Sequence, residues 1–193
     1  GPFPCVVFLH GVGENGTDGE KHLAVGLPPY VVAHGTEFPA VVVAPQCRGP
    51  WMYVGDDERL VMGALEATGR EVALQRERIY LTGISQGGCS ALDLGAKHSD
   101  VWAALVVICG AGRIADAMRL RRMPIRLYHG EKDTVIPPSG HHKFDDATVG
   151  GRDLSKVLPH AKYVEFPGAD HFIWDRVYGD PAMWEWLFAQ KRP

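Results

Sequence analysis

The chain is 193 residues long, 46% hydrophobic and 22% charged, which suits one domain with its own apolar core and excludes a disordered or fibrous protein. Its net charge of −3 and the lack of any apolar run near the roughly 18 residues of a membrane span argue against a nucleic-acid partner or a bilayer-spanning protein. The expectation is a soluble protein, cytoplasmic by default, with secretion left open because the first strand begins almost at Gly1; oligomeric state has no signature.

In chain order, the first element is the run Cys5 to Leu9, continuously apolar and therefore a strand covered on both faces. It leads into His10-Gly11-Val12-Gly13. The segment Glu14 to Gly19 then reads as a turn at a pocket rim, since it lacks the spacing of a calcium loop. Ala40 to Ala44 is a second strand, followed by Trp51, Met52 and Tyr53 on a loop. Leu60, Val61, Ala64, Leu65, Thr68 and Val72 recur on one face of a helix from about Asp56 to Leu74. Ile79 to Thr82 is the third strand, with helix-forming sequence from Gly88 to Lys97 after it. Trp102 to Cys109 and Ile125 to Tyr128 are further strands, and Arg119, Arg121, Arg122 and Arg126 read as a solvated loop.

Beyond them, His141, His142, Asp145 and Asp146 read as the start of a solvated helix, because adjacent histidines cannot face one ion at helical spacing. Tyr163 to Phe166 is the last strand, and Asp180-Pro181 opens a final helix bearing Trp184, Leu187 and Phe188. Alternating strands and helices with right-handed crossovers predict a three-layer α/β/α sandwich around a mostly parallel sheet of about six strands. Function then belongs in the loops at the strand carboxyl ends. Cys5, Cys47, Cys89 and Cys109 show no C-x-x-C spacing and read as reduced core thiols.

Chemistry concentrates at Gly83-Ile84-Ser85-Gln86-Gly87, between a strand and a helix. A serine forced onto so sharp a turn needs glycine two residues before and after it, where a Cβ would strike the strand or helix. A serine hydroxyl also needs a base, and the base a carboxylate to set its tautomer. His171 follows the strand ending at Phe166, and Asp133 follows the strand ending at Tyr128. Asp133 is preferred to Asp170, whose side chain points away from its neighbour His171 on an extended segment, and to Asp175, which suits a turn. The backbone amides of Gln86 and Val12 are the candidate oxyanion donors. Trp51, Tyr53, Phe172 and Trp174 are candidate substrate-binding aromatics; His10 and His129 are read as loop-holding.

Phe8 to Glu14, Ala44-Pro45-Gln46, Leu81 to Gly88, His129-Gly130 through Asp133 to Pro137, and His171 through Trp174-Asp175 to Leu187 resemble, in order, the motifs of the α/β-hydrolase superfamily. The likeness is to its phospholipase/carboxylesterase and dienelactone-hydrolase-like group of small esterases and predicted peptidases. The resemblance implies a minimal hydrolase fold over residues 1–193, without a lid domain. It also implies a carboxylic ester hydrolase that works through an acyl-enzyme with no cofactor; the residues themselves give no metal site, and the short stretch between Cys109 and Pro124 predicts an open site that takes small-molecule short-chain or aryl esters. A serine peptidase, an acyl-protein thioesterase and a non-catalytic ligand-binding homologue share the same residues as alternatives. Two departures stand out: Asp170 replaces the glycine often found before the histidine, and the strands that usually precede the His-Gly strand are missing.

Overall fold

A computed structural model describes residues 1–50, 52–142 and 145–192. The elements run β1 (Phe3–Leu9), α1 (Leu27–His34), β2 (Val41–Val43), α2 (Asp56–Glu71), β3 (Leu74–Ile84), α3 (Gln86–Lys97) and β4 (Ala104–Ile108). They continue as β5 (Ala111–Arg113), α4 (Ala117–Leu120), β6 (Ile125–Gly130), β7 (His141–His142), β8 (Asp145–Gly150), α5 (Gly151–Val157), β9 (Lys162–Phe166), α6 (Trp174–Tyr178) and α7 (Pro181–Ala189).

Six strands form one sheet in the order β2-β1-β3-β4-β6-β9, every neighbouring pair parallel. The chain steps outward from β1 to β2 and then returns to β3 on the other side of β1. The carboxyl ends of β1 and β3 therefore flank the point where strand order reverses, the place where open α/β sheets form a crevice.

Alternation along each strand divides the core between two faces. Cys5, Val7, Leu9, Leu81, Leu105, Val107 and Leu127 pack with Val61 and Leu65 of α2, Leu92 and Leu94 of α3, and Leu154 of α5. Val6, Phe8, Tyr80, Val106, Ile108 and Tyr128 pack with Leu27 of α1, Val177 of α6 and Trp184 and Leu187 of α7. Each such fully buried Leu or Val contributes about 1.5–3 kcal/mol, so both faces must be covered. Asp180 caps α7 as expected, its Oδ1 accepting the Ala182 amide at 2.9 Å with Pro181 in the first turn.

The structure corrects three expectations. Residues 141–142 and 145–150 are not a helix start: they form β7 and β8, which pair antiparallel with each other, β8 also pairing antiparallel with β5. That pairing is non-local and leaves no periodic trace in the segment itself. The helix expected to Leu74 ends at Glu71, and β3 begins at Leu74, because this end of the strand is wet and carries Gln75, Arg76 and Glu77. Arg126 belongs to β6, its guanidinium 4.5 Å from the centre of the Trp186 ring. All four cysteines are free and buried. No helix among the described residues is long and apolar enough to cross a membrane.

Candidate active site

Ser85 links β3 to α3 at φ 54°, ψ −120°, a region L-residues avoid at a cost of order 1–3 kcal/mol. Neighbouring groups hold it there: its amide donates to Ile108 O at 2.9 Å, and its carbonyl accepts from Cys89 N at 3.0 Å. Glycine is obligatory on both sides. A Cβ on Gly83 would overlap the Gly87 carbonyl, and one on Gly87 would overlap the Leu9 carbonyl. The sharp turn lifts the hydroxyl above the sheet.

His171 arrives from the loop after β9 and Asp133 from the loop after β6, and the three side chains meet in one row. Ser85 Oγ lies 2.9 Å from His171 Nε2, and His171 Nδ1 lies 2.6 Å from Asp133 Oδ2. Ser85, His171 and Asp133 are all buried. Asp133 Oδ1 accepts the amides of Val135 and Ile136, each at 2.9 Å. Burial alone would raise this carboxyl's pKa, but hydrogen bonds from His129, His171 and the Ile136 amide outweigh it and hold the group well below the ordinary carboxylate range. The carboxylate is thus ionised and fixes the proton of His171 on Nδ1, leaving Nε2 to accept from the serine. Asp170, the rival acid, instead accepts the Phe172 amide on its Oδ1 at 3.0 Å, a turn that presents His171.

The loop after β1 is braced by His10. Its Nδ1–H donates to Gly11 O at 2.7 Å, and its Nε2 accepts the Cys47 amide at 2.9 Å, which requires the neutral ring. A peptide plane is trans, so drawing Gly11 O toward His10 turns the Val12 N–H the other way. The loop presses against the serine: a Cβ on Gly11 would stand 3.6 Å from Ser85 Cβ. Val12 opens the short 3₁₀ turn Val12–Glu14, and Gln86 is the first residue of α3. First-turn amides lack an acceptor within their own helix, so both are free in principle to meet an anion.

Of the four aromatic candidates, Phe172 is 67% exposed beside His171, with ring centres 5.7 Å apart, and half-buried Trp174 stands edge-on to the same imidazole at 5.9 Å. Tyr53 is corrected: it is fully buried, and its hydroxyl accepts from His10 N at 3.1 Å and donates to Pro45 O at 3.3 Å. It holds the β1 loop, and it has no face left for substrate. Trp51 lies outside the described residues.

His129 holds its loop as the sequence suggests, but its approach to Asp133 and the place of Cys109 beside that carboxylate are not legible in the sequence. His129, four residues before Asp133, donates Nε2–H to Ile136 O at 2.8 Å and stands 3.3 Å from Asp133 Oδ2. The Cys109 thiol is buried beside the same carboxylate. Cys109, His129 and Asp133 bring potential ligand atoms within 4.8 Å of one another. His129 Nε2 and both Asp133 oxygens are already engaged in hydrogen bonds, and burial pushes the Cys109 thiol up in pKa, keeping it protonated. We therefore read the trio as support for the carboxylate.

Among solved structures, a thermostable esterase superposes with a TM-score of 0.79 at 29% identity, over 99% of this chain and 56% of its own. This is the α/β-hydrolase fold. Est1E from Butyrivibrio proteoclasticus (TM-score 0.65, 15% identity, 97% of this chain and 88% of that one) and an acetyl xylan esterase from Aspergillus awamori (0.68, 14%, 96% and 89%) share it. The chain spans little more than half the length of the thermostable esterase. No protein-family model and no curated protein sequence matches it. In α/β-hydrolase terms, the row of side chains lies in the loops after β3, β6 and β9, and the two amides follow β1 and β3.

Proposed function

We propose that this chain hydrolyses carboxylic esters through an acyl-enzyme, with Ser85 as nucleophile, His171 as general base and acid, and Asp133 as the carboxylate that orients it. The observation that carries the reading is the unbroken path Ser85 Oγ, His171 Nε2, His171 Nδ1, Asp133 Oδ2, at 2.9 and 2.6 Å, starting from a serine in a strained positive-φ turn. Strain of this kind persists only where surrounding structure enforces it. In the reaction, His171 Nε2 takes the Ser85 proton as Oγ attacks the ester carbonyl, and the negative charge on the carbonyl oxygen is met by the Val12 and Gln86 amides. The imidazolium, stabilised by Asp133, protonates the departing alcohol. Water then enters, gives its proton to His171 and attacks the acyl carbon, and Ser85 leaves with that proton.

Exposed Phe172 and half-buried Trp174 beside the base support short-chain or aryl esters as the substrate class, since they offer an apolar wall next to the reacting centre. The test is labelling by a fluorophosphonate together with hydrolysis of nitrophenyl esters of graded acyl length. Wild-type labelling that disappears in Ser85→Ala, with fastest turnover on short or aryl acyl groups, is the expected result. An unlabelled wild type overturns the nucleophile, and best turnover on long acyl chains overturns the substrate class. Matched peptide amides and thioesters, if cleaved faster than the ester, move the activity to the peptidase or thioesterase alternative.

A further inference from the structure

The two amides proposed to hold the oxyanion sit on segments far apart in the chain, one in the loop after β1 and one at the start of α3. A tetrahedral intermediate is stabilised only if both converge on one oxygen to within a fraction of an ångström. Covalent connectivity does nothing to set their separation. Side chains do. Asn15, which follows the 3₁₀ turn begun by Val12, and Gln86 face each other as a reciprocal amide pair across 71 residues of sequence: Asn15 Nδ2 donates to Gln86 Oε1 at 3.3 Å, and Gln86 Nε2 donates to Asn15 Oδ1 at 3.2 Å.

We propose that Asn15 is a positioning residue for the oxyanion hole, clamping the Val12 loop to the Gln86 end of α3 through this amide pair. The inference rests on the serine-hydrolase reading of the site. Three observations support it. First, both amides are fully engaged: Asn15 Nδ2 also donates to Gly49 O at 2.7 Å, and Gln86 Nε2 to Cys47 Sγ at 3.3 Å. Burial pushes that thiol's pKa up to about 11, so it remains a neutral partner. Second, Gln86 is fully buried, so water cannot replace Asn15 when the pair is broken; a lost partner leaves an unsatisfied amide. Third, Asn15 holds both sides of the Val12 turn, since its own amide donates to Val12 O at 3.3 Å while its side chain reaches α3.

Only an amide meets the requirement at position 15. It must give two hydrogens, to Gly49 O and Gln86 Oε1, and take one from Gln86 Nε2. Aspartate has the same shape but no hydrogen to give, and would set its carboxylate against two carbonyl oxygens. Alanine gives and takes nothing. Neither change touches Ser85, His171 or Asp133.

The experiment is steady-state kinetics on a nitrophenyl ester with each rate divided by the concentration of sites titrated by fluorophosphonate, for wild type, Asn15→Asp, Asn15→Ala, Gln86→Met and the Asn15→Ala/Gln86→Met double variant. A trifluoromethyl ketone, whose hydrate mimics the oxyanion, is measured as inhibitor in parallel. Loss of one oxyanion donor costs about 10²–10³ in kcat, and a displaced donor less, so kcat per site is expected to fall by about 10- to 100-fold with KM nearly constant. Ketone affinity should fall in proportion, and the double variant should be no worse than the worse single one, as expected of groups acting as a unit. A purely structural role would lower the fraction of titratable sites and the melting temperature but leave kcat per site unchanged, and would overturn the proposal. So would failure of every single variant to fold. Loss of labelling in the wild type would instead condemn the hydrolase reading itself, which Ser85→Ala checks separately.

Discussion

The imidazole of His129 stands 3.3 Å from the same Asp133 oxygen that His171 holds at 2.6 Å. Asp133 is therefore fixed by two imidazoles and two backbone amides, and its ionised state is a property of the folded chain.

The first prediction concerns acid. The folded-state pKa of Asp133 is depressed below its usual 3.8, so the unfolded chain binds this proton first as pH drops. The stabilisation is complete above about pH 4 and is lost as pH falls below that value through the folded-state pKa. Urea unfolding at stepped pH should show the loss in wild type and a shallower one in Asp133→Asn. That variant should also turn over about 10³- to 10⁴-fold more slowly at neutral pH, because the amide no longer selects the tautomer of His171. His129→Phe, which leaves Ile136 O without its donor, should cost about 1–3 kcal/mol and move the acid loss to higher pH; an unchanged acid limb would refute this role.

A second pH effect sits under the β1 loop. Burial foremost, with the charge of His22 adding to it, lowers the pKa of His10 below 6.5 despite the opposing Gly11 carbonyl bond and Asp57. Here too the unfolded state takes the proton first, so stability is expected to decline as pH drops from about 6.5 toward the folded-state value. Protonation would put a hydrogen on Nε2, against the Cys47 amide that it accepts at 2.9 Å. Unfolding free energies measured between pH 7 and 5 should show this slope in wild type and lose it in His10→Gln.

Glycine substitutions separate steric necessity from mere composition. Gly87→Ala would drive a methyl group into the Leu9 carbonyl, backbone against backbone with nothing able to yield, so no folded protein is expected by circular dichroism. Gly63→Ala in α2 meets nothing within 4 Å and should raise stability by about 0.5–1 kcal/mol. A folded, active Gly87→Ala would show that the elbow tolerates more than its geometry allows.

Phe172 offers a specificity test. Its ring is 67% exposed and packs edge-on against Trp174, with centres 5.1 Å apart, so truncation to alanine removes little from the core. Phe172→Ala should raise KM for aryl esters by about 5- to 20-fold, the size of a partly buried ring contact, with melting temperature unchanged. Equal effects on acetyl and aryl esters would remove Phe172 from substrate recognition.

Much of this architecture is written locally. Runs such as Cys5 to Leu9 and Trp102 to Cys109 are continuous and apolar because both faces of their strands are covered, and the glycines at 83 and 87 announce the elbow because no other residue fits a turn so tight. Where water reaches a strand the apolar signal fades, which is why the first half of β3 was not legible. Helix α1 escaped because Pro28 and Pro29, tolerated in its first turn, read equally well as loop.

The sequence by itself determined the alternation of strands and helices, the site of the strained serine and the order in which Ser85, Asp133 and His171 follow their strands, since these depend on periodicity and on steric rules spanning a few residues. Tertiary structure alone decided that Tyr53 is a brace and not a pocket wall, that 141–142 and 145–150 are strands, and that Asn15 meets Gln86 while His129 meets Asp133. Hydrogen bonds between chain-distant groups depend on where the sheet delivers its loops, and that delivery is fixed by the packing of every strand at once.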